Sequence, residues 1–145
     1  MSAGFVLTVL VAGFMATYAH LIFAITADKV GLAKLDFGKG VSMLLFGDSY
    51  GGSPPYMLGL AVVHLNGMLF ALIYAGLIGP QLAYSPLVRG LIFSGMLLIF
   101  SQCIFNPIIA RNGFFSVKIH PRAWQTAIVA HAIYGAILGW LSPVL

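Results

Sequence analysis

The stretch Val62–Gly76, VVHLNGMLFALIYAG, decides what kind of protein this is. Apart from His64, Asn66 and Tyr74 its side chains are apolar or absent, and the apolar run extends on both sides, from Tyr56 to Ile78. That length matches the roughly 20 residues a helix needs to cross hydrocarbon. Yet an imidazole and an amide sit inside it, and each is costly in lipid unless it finds a partner.

Working outward, the rest of the chain has the same character. Of 145 residues, 61% are hydrophobic and 7% charged, with a mean hydropathy of +1.03. A water-soluble domain of this size could not carry such a surface. Three further windows, Gly4–Ala27, Pro86–Ala110 and Trp124–Leu141, resemble the first in length and apolarity. The expected fold is therefore all-α: one integral membrane domain over residues 1–145, built as a bundle of four transmembrane helices. Pro55 and Pro86 stand at helix starts, where a missing N–H does no harm, and Pro107 is expected to unwind the last turn of the third span. Trp124 and Trp140 suit the two interfaces of the fourth.

The connections are unequal. The first holds LDFGKGVSMLLFG (Leu35–Gly47), expected to form a short amphipathic helix along the membrane surface, followed by turn residues at Gly51-Gly52 and Ser53-Pro54. Lys29, Lys34 and Lys39 fall in loop one and Arg111, Lys118 and Arg122 in loop three, so six of the seven basic residues share one side, with Arg89 near the other. The positive-inside rule places loops one and three in the cytoplasm and both termini opposite, although Asp28, Asp36 and Asp48 lie on the same side. Lys118 and Arg122 are candidates for holding lipid headgroups. The basic residues form no dense cluster, so nucleic acid is not an implied partner. The single Cys103 excludes an intrachain disulfide and a thiolate zinc cluster.

Counting from the face that carries loops one and three, His20, His64 and His131 each lie about 10–12 Å deep. Ser101, Gln102 and Cys103 of the third span reach the same level, and Asn66 lies close to it. Spacing also gives these groups a direction. His20 continues Ala12, Ala16 and Ala24 at i+4, His131 heads Gly135 and Gly139, and His64 aligns with Gly67, Ala71 and Ala75. Small residues on one face let membrane helices approach closely, so the histidines are expected to point into helix contacts.

Three uses of that layer compete. The histidines can hydrogen-bond across helices. They can ligate a b-type haem, a chlorophyll-type pigment or a copper ion. They can line a proton or substrate path. The chain has no Glu, and every Asp lies in loop one, which weakens an ion-coupled transporter or channel. Close-packed seams leave little room for a macrocycle, so the cofactor-free reading is preferred. Cys103 in an apolar span reads as an inert small hydrophobe, and no catalytic constellation appears.

Three segments, GLAKLDFGKG (Gly31–Gly40), HLNGMLFALIYAG (His64–Gly76) and HAIYGAILG (His131–Gly139), resemble those of small four-helix bacterial integral membrane proteins of unknown function. The resemblance implies the four-helix architecture and a bacterial inner membrane, and carries over no activity. The function expected from size and surface is a non-catalytic accessory or assembly subunit of a larger respiratory or photosynthetic membrane complex, its partners being membrane lipids and other integral subunits.

Overall fold

The computed structural model describes residues 2–47 and 55–145. Asp48 and the turn expected at Gly51-Gly52 and Ser53-Pro54 lie outside the described residues. All regular structure among the described residues is helical. Helix α1 spans Ala3–Thr26, α2 Phe37–Phe46, α3 Tyr56–Ile73, α4 Pro86–Ile99 and α5 Ala123–Leu141.

Local chemistry sets these boundaries. Ser2 caps α1 by accepting from the Phe5 amide at 3.2 Å, satisfying one of the first-turn donors that have no partner within the helix. A 3₁₀ turn, Ala27–Val30, closes α1 and ends on Gly31 in the left-handed region at φ 79°. The chain then folds back, and the Leu35 amide donates to Ala24 O at 2.9 Å. Asp36 starts α2 by accepting from the Lys39 amide at 2.9 Å. Helix α3 continues through a π-helical turn, Tyr74–Ile78, and a 3₁₀ turn, Gly79–Gln81. Helix α4 continues as a π-helical segment, Phe100–Ile109.

The packing follows from small residues. Helices α4 and α5 run antiparallel along a seam where Gly139 meets Pro86 and Gly135 meets Gly90 and Ser94. A Cβ on Gly90 would collide with the Gly135 carbonyl, and one on Gly135 with the Ser94 hydroxyl. Only glycine permits so close a crossing. On the other side α1 pairs antiparallel with α3, Gly13 resting on Met68 and Ala71 and Thr17 on Gly67. Helix α5 also packs against α1, and α2 crosses the first turns of α3, with Gly38 beside Tyr56 and Leu60. One core cluster joins Val9, Ala12, Ala16, Ala71, Tyr74, Phe93, Tyr134 and Leu138; a second, nearer the loops, joins Ala24, Leu35, Ala123, Ala127 and Ala130.

Among the described residues three helices are long and apolar enough to cross a membrane: Ala3–Val30, Tyr56–Gln81 and Pro86–Ile109, each including its continuation. The fourth expected span departs from this pattern. Helix α5 has 19 residues, but Trp124, Gln125, Thr126, His131 and Tyr134 lower its apolarity. The physical reason is enclosure. Nine of its residues are buried, including Thr126, His131 and Tyr134, so polar groups on it face protein. By contrast Leu65, Leu77 and Ile99 are 61%, 64% and 61% exposed, as side chains facing lipid would be.

Candidate functional site

The polar layer is positioned by the widened end of α4. Pro107 has no N–H, and in an α-helix its ring would press on the carbonyl four residues back. The wider turn relieves both problems, and the Ala110 amide reaches Phe105 O at 3.0 Å. Within this segment Gln102 and Asn106, four residues apart, are 0% and 9% exposed. π-Helical turns of this kind recur at functional positions.

From Gln102 a chain of hydrogen bonds ties three segments together. The Ser116 hydroxyl, in the 3₁₀ turn Phe114–Ser116 of loop three, donates to Gln102 Oε1 at 3.1 Å. Gln102 Nε2 donates to Ser101 Oγ at 3.3 Å, and Ser101 Oγ lies 3.3 Å from His131 Nε2 on α5. His131 Nδ1 faces Ala127 O at 2.8 Å. A carbonyl only accepts, so Nδ1 carries the proton and, in the neutral ring, Nε2 accepts from Ser101. Ser101 also reaches Leu98 O at 3.1 Å, so its single proton serves two acceptors. The Gln102 amide accepts at oxygen and donates at nitrogen without passing a proton between them. The chain is a brace that ties loop three and α5 to the widened end of α4.

His20 and His131 meet edge to face, with ring centroids 5.0 Å apart, and Phe37 and Tyr134 close the other sides of His20 at 5.0 and 6.4 Å. Rings in direct contact leave no gap between them for a macrocycle. His131 is 8% exposed and has both nitrogens engaged.

His64 lies elsewhere. Its ring packs against Phe14 and Tyr18 of α1, with centroids 4.7 and 6.5 Å away, and it makes no ring contact with His20 or His131. The structure thus unites two of the three histidines and sets the third on the far flank of α1. Among the described residues no three His, Cys, Asp or Glu side chains converge on a point that could hold a metal ion. His64 Nδ1 faces Leu60 O at 2.9 Å, while its Nε2 is buried without a hydrogen-bond partner among the described residues.

The remaining residues of the expected site divide similarly. Ser101 and Gln102 belong to the brace. Cys103 is half-buried as a free thiol. Asn66, expected in the polar layer, is exposed on α3 and makes no hydrogen bond among the described residues. Glycine 67, one residue on, faces inward because each residue rotates about 100° around the helix. Ala12, Ala16, Gly67, Ala71, Gly135 and Gly139 are all buried in helix contacts. Lys118 and Arg122 are exposed in and beside loop three. Loop one is tied to the first turn of α5, where the Thr126 hydroxyl donates to Ala33 O at 2.6 Å.

Sequence reasoning missed four groups. The Tyr134 hydroxyl donates to Gly67 O at 2.8 Å, joining α5 to α3; its place seven residues before Leu141 on the His131 face was the available signal. Ser116 looked like an ordinary loop residue. Tyr74 is 0% exposed, its ring tilted against Phe93 with centroids 5.4 Å apart and its hydroxyl without a partner among the described residues, and Arg89 Nε is likewise buried and unpartnered there. Nothing in their spacing announces this. Comparison of the chain with protein families, curated proteins and solved structures finds no match.

Proposed function

We propose that this chain is a non-catalytic accessory or assembly subunit of a larger integral membrane complex of respiratory or photosynthetic type. In this reading four helices cross a bacterial inner membrane, α5 included, with loops one and three cytoplasmic. The fourth crossing is supported by alignment: α5 lies beside α4 from Pro86 at one end to Ser101 further in, and its 19 residues extend about 28 Å.

One observation carries the functional reading. The hydrogen-bonding capacity of Ser116, Gln102, Ser101 and His131 is spent on one another and on neighbouring carbonyls, which is how polar groups hold membrane helices together. Meanwhile large apolar side chains cover the outside of α1, α3 and α4, offering surface to lipid and to other membrane subunits. The test is extraction from native membranes in mild detergent, followed by native electrophoresis and an absorption spectrum of the same sample. The protein is expected to migrate with a larger assembly and to bring no Soret or pigment band of its own after separation. Migration as a lone monomer or homodimer contradicts the proposal.

A further inference from the structure

Loop three follows the widened end of α4, and its turn reverses the usual order of a loop. The polar side chain is inside: Ser116 is 3% exposed and donates to Gln102 Oε1. Its apolar neighbours are outside, with Phe114, Val117 and Ile119 62%, 49% and 53% exposed. The backbone imposes this inversion. Phe115 and Ser116 lie in the left-handed region at φ 50° and 58°, a conformation that is costly for residues other than glycine and persists only where contacts over-determine it. Those contacts are the Ser116–Gln102 bond, the Asn112 amide on Asn106 O at 2.9 Å and the Lys118 amide on Asn112 O at 3.1 Å. Tied to α4 in this way, the loop holds three apolar side chains outward, where water is a poor medium for them.

The same loop carries three cations. Arg111, Lys118 and Arg122 are exposed, and none makes an ion pair or a side-chain hydrogen bond among the described residues. No acidic residue occurs between Arg111 and Arg122. We propose that loop three is an interfacial anchor for anionic phospholipid. Phe114, Val117 and Ile119 enter the boundary of the acyl chains, and the three cations hold phosphate headgroups that no ammonium group neutralises. Long basic side chains suit this place, because their stems lie along apolar surface while their heads reach the phosphates. An acidic protein surface would match the charges and leave the apolar side chains unmatched, whereas the edge of a membrane matches both. It also continues the apolar outside of α4, where Ile108 and Ile109 are exposed. Loop three has this role whether or not the chain joins a larger assembly, since the anchor requires only that α4 cross a membrane.

The two tryptophans make the test local. Trp124, two residues beyond Arg122, and Trp140 are both exposed and stand about 24 Å apart along α5. The full chain carrying Trp140→Phe is reconstituted in phosphatidylcholine vesicles with a small fraction of brominated phosphatidylglycerol or of brominated phosphatidylcholine, and quenching of Trp124 fluorescence gives the relative association of each lipid. Phosphatidylglycerol is expected to associate at least about fivefold more strongly, a factor that one basic residue near an anionic surface already supplies, and the preference should shrink as sodium chloride is raised. Replacing all three cations together, Arg111→Gln, Lys118→Gln and Arg122→Gln, should reduce it to about twofold or less. In the Trp124→Phe protein Trp140, at the other end of α5, should show no such preference. Equal quenching of Trp124 by the two lipids would leave the cations to an acidic protein surface and overturns the proposal. A preference that survives the triple replacement, or that is equal at Trp140, overturns it as well. So does a preference abolished by sodium phosphate but not by sodium chloride of the same ionic strength, which would assign a site for free phosphate. If the triple variant does not reconstitute, the salt dependence and the comparison of the two tryptophans decide.

Discussion

His131 on α5 and His64 on α3 belong to the same bundle, and the structure treats them in opposite ways. Around His131 every polar atom of the brace meets another, and the residues opposite are glycine and serine that let α4 and α5 close. Around His64 one nitrogen holds its own helix and the other holds nothing, beside a cavity. The contrast teaches that a histidine on an apolar helix is not a site by virtue of its presence alone. What matters is whether its second nitrogen is consumed. On the α4–α5 side it is engaged by Ser101, and on the α1–α3 side it is buried without a partner among the described residues.

The comparison can be broken most forcefully on the packed side. Gly135→Leu puts a branched side chain against the Gly90 carbonyl and Ser94 and is expected to cost about 3 kcal/mol, near the upper end for overpacking. Thermal unfolding in nanodiscs should show a large loss or no folded protein; an unchanged midpoint would mean that the seam is not formed. Gln102→Leu is the next step down. It leaves the buried Ser116 hydroxyl without an acceptor and is expected to cost about 1–3 kcal/mol, with amide exchange rising first in loop three. Asn66→Leu sharpens the other limit. With its side chain exposed and unbonded, the change is expected to stay within about 0.5 kcal/mol, and a clear loss of stability would return Asn66 to the polar layer.

Much of this architecture was legible in the chain. Apolar runs gave α1, α3 and α4 because their outer faces are covered with Leu, Ile and Val, and Leu35–Gly47 gave α2 because Asp36 caps it and glycines punctuate it. Helix α5 was harder to read: its enclosed position permits Gln, Thr and His, which dilutes the hydropathy that marks a span. Periodicity identified the inward faces of Ala12, Gly67 and Gly135, since contact faces repeat every three or four residues. It could not say which helix lies across each face. That is why the contact between His20 and His131, and the separation of His64 from both, was invisible in the chain. Those depend on which flank of α1 each partner takes, a property of the whole assembly.

The central claim is that the two histidines do different work, and it is tested most directly by His131→Leu and His64→Leu measured side by side in the same nanodiscs. Leucine is close in volume and removes the imidazole from each environment. The account predicts that His131→Leu unfolds with a stability lower by about 1–2 kcal/mol, the loss of an interhelical bond, while His64→Leu keeps the wild-type midpoint within about 0.5 kcal/mol. Equal losses for both, or a larger loss at His64, would contradict it.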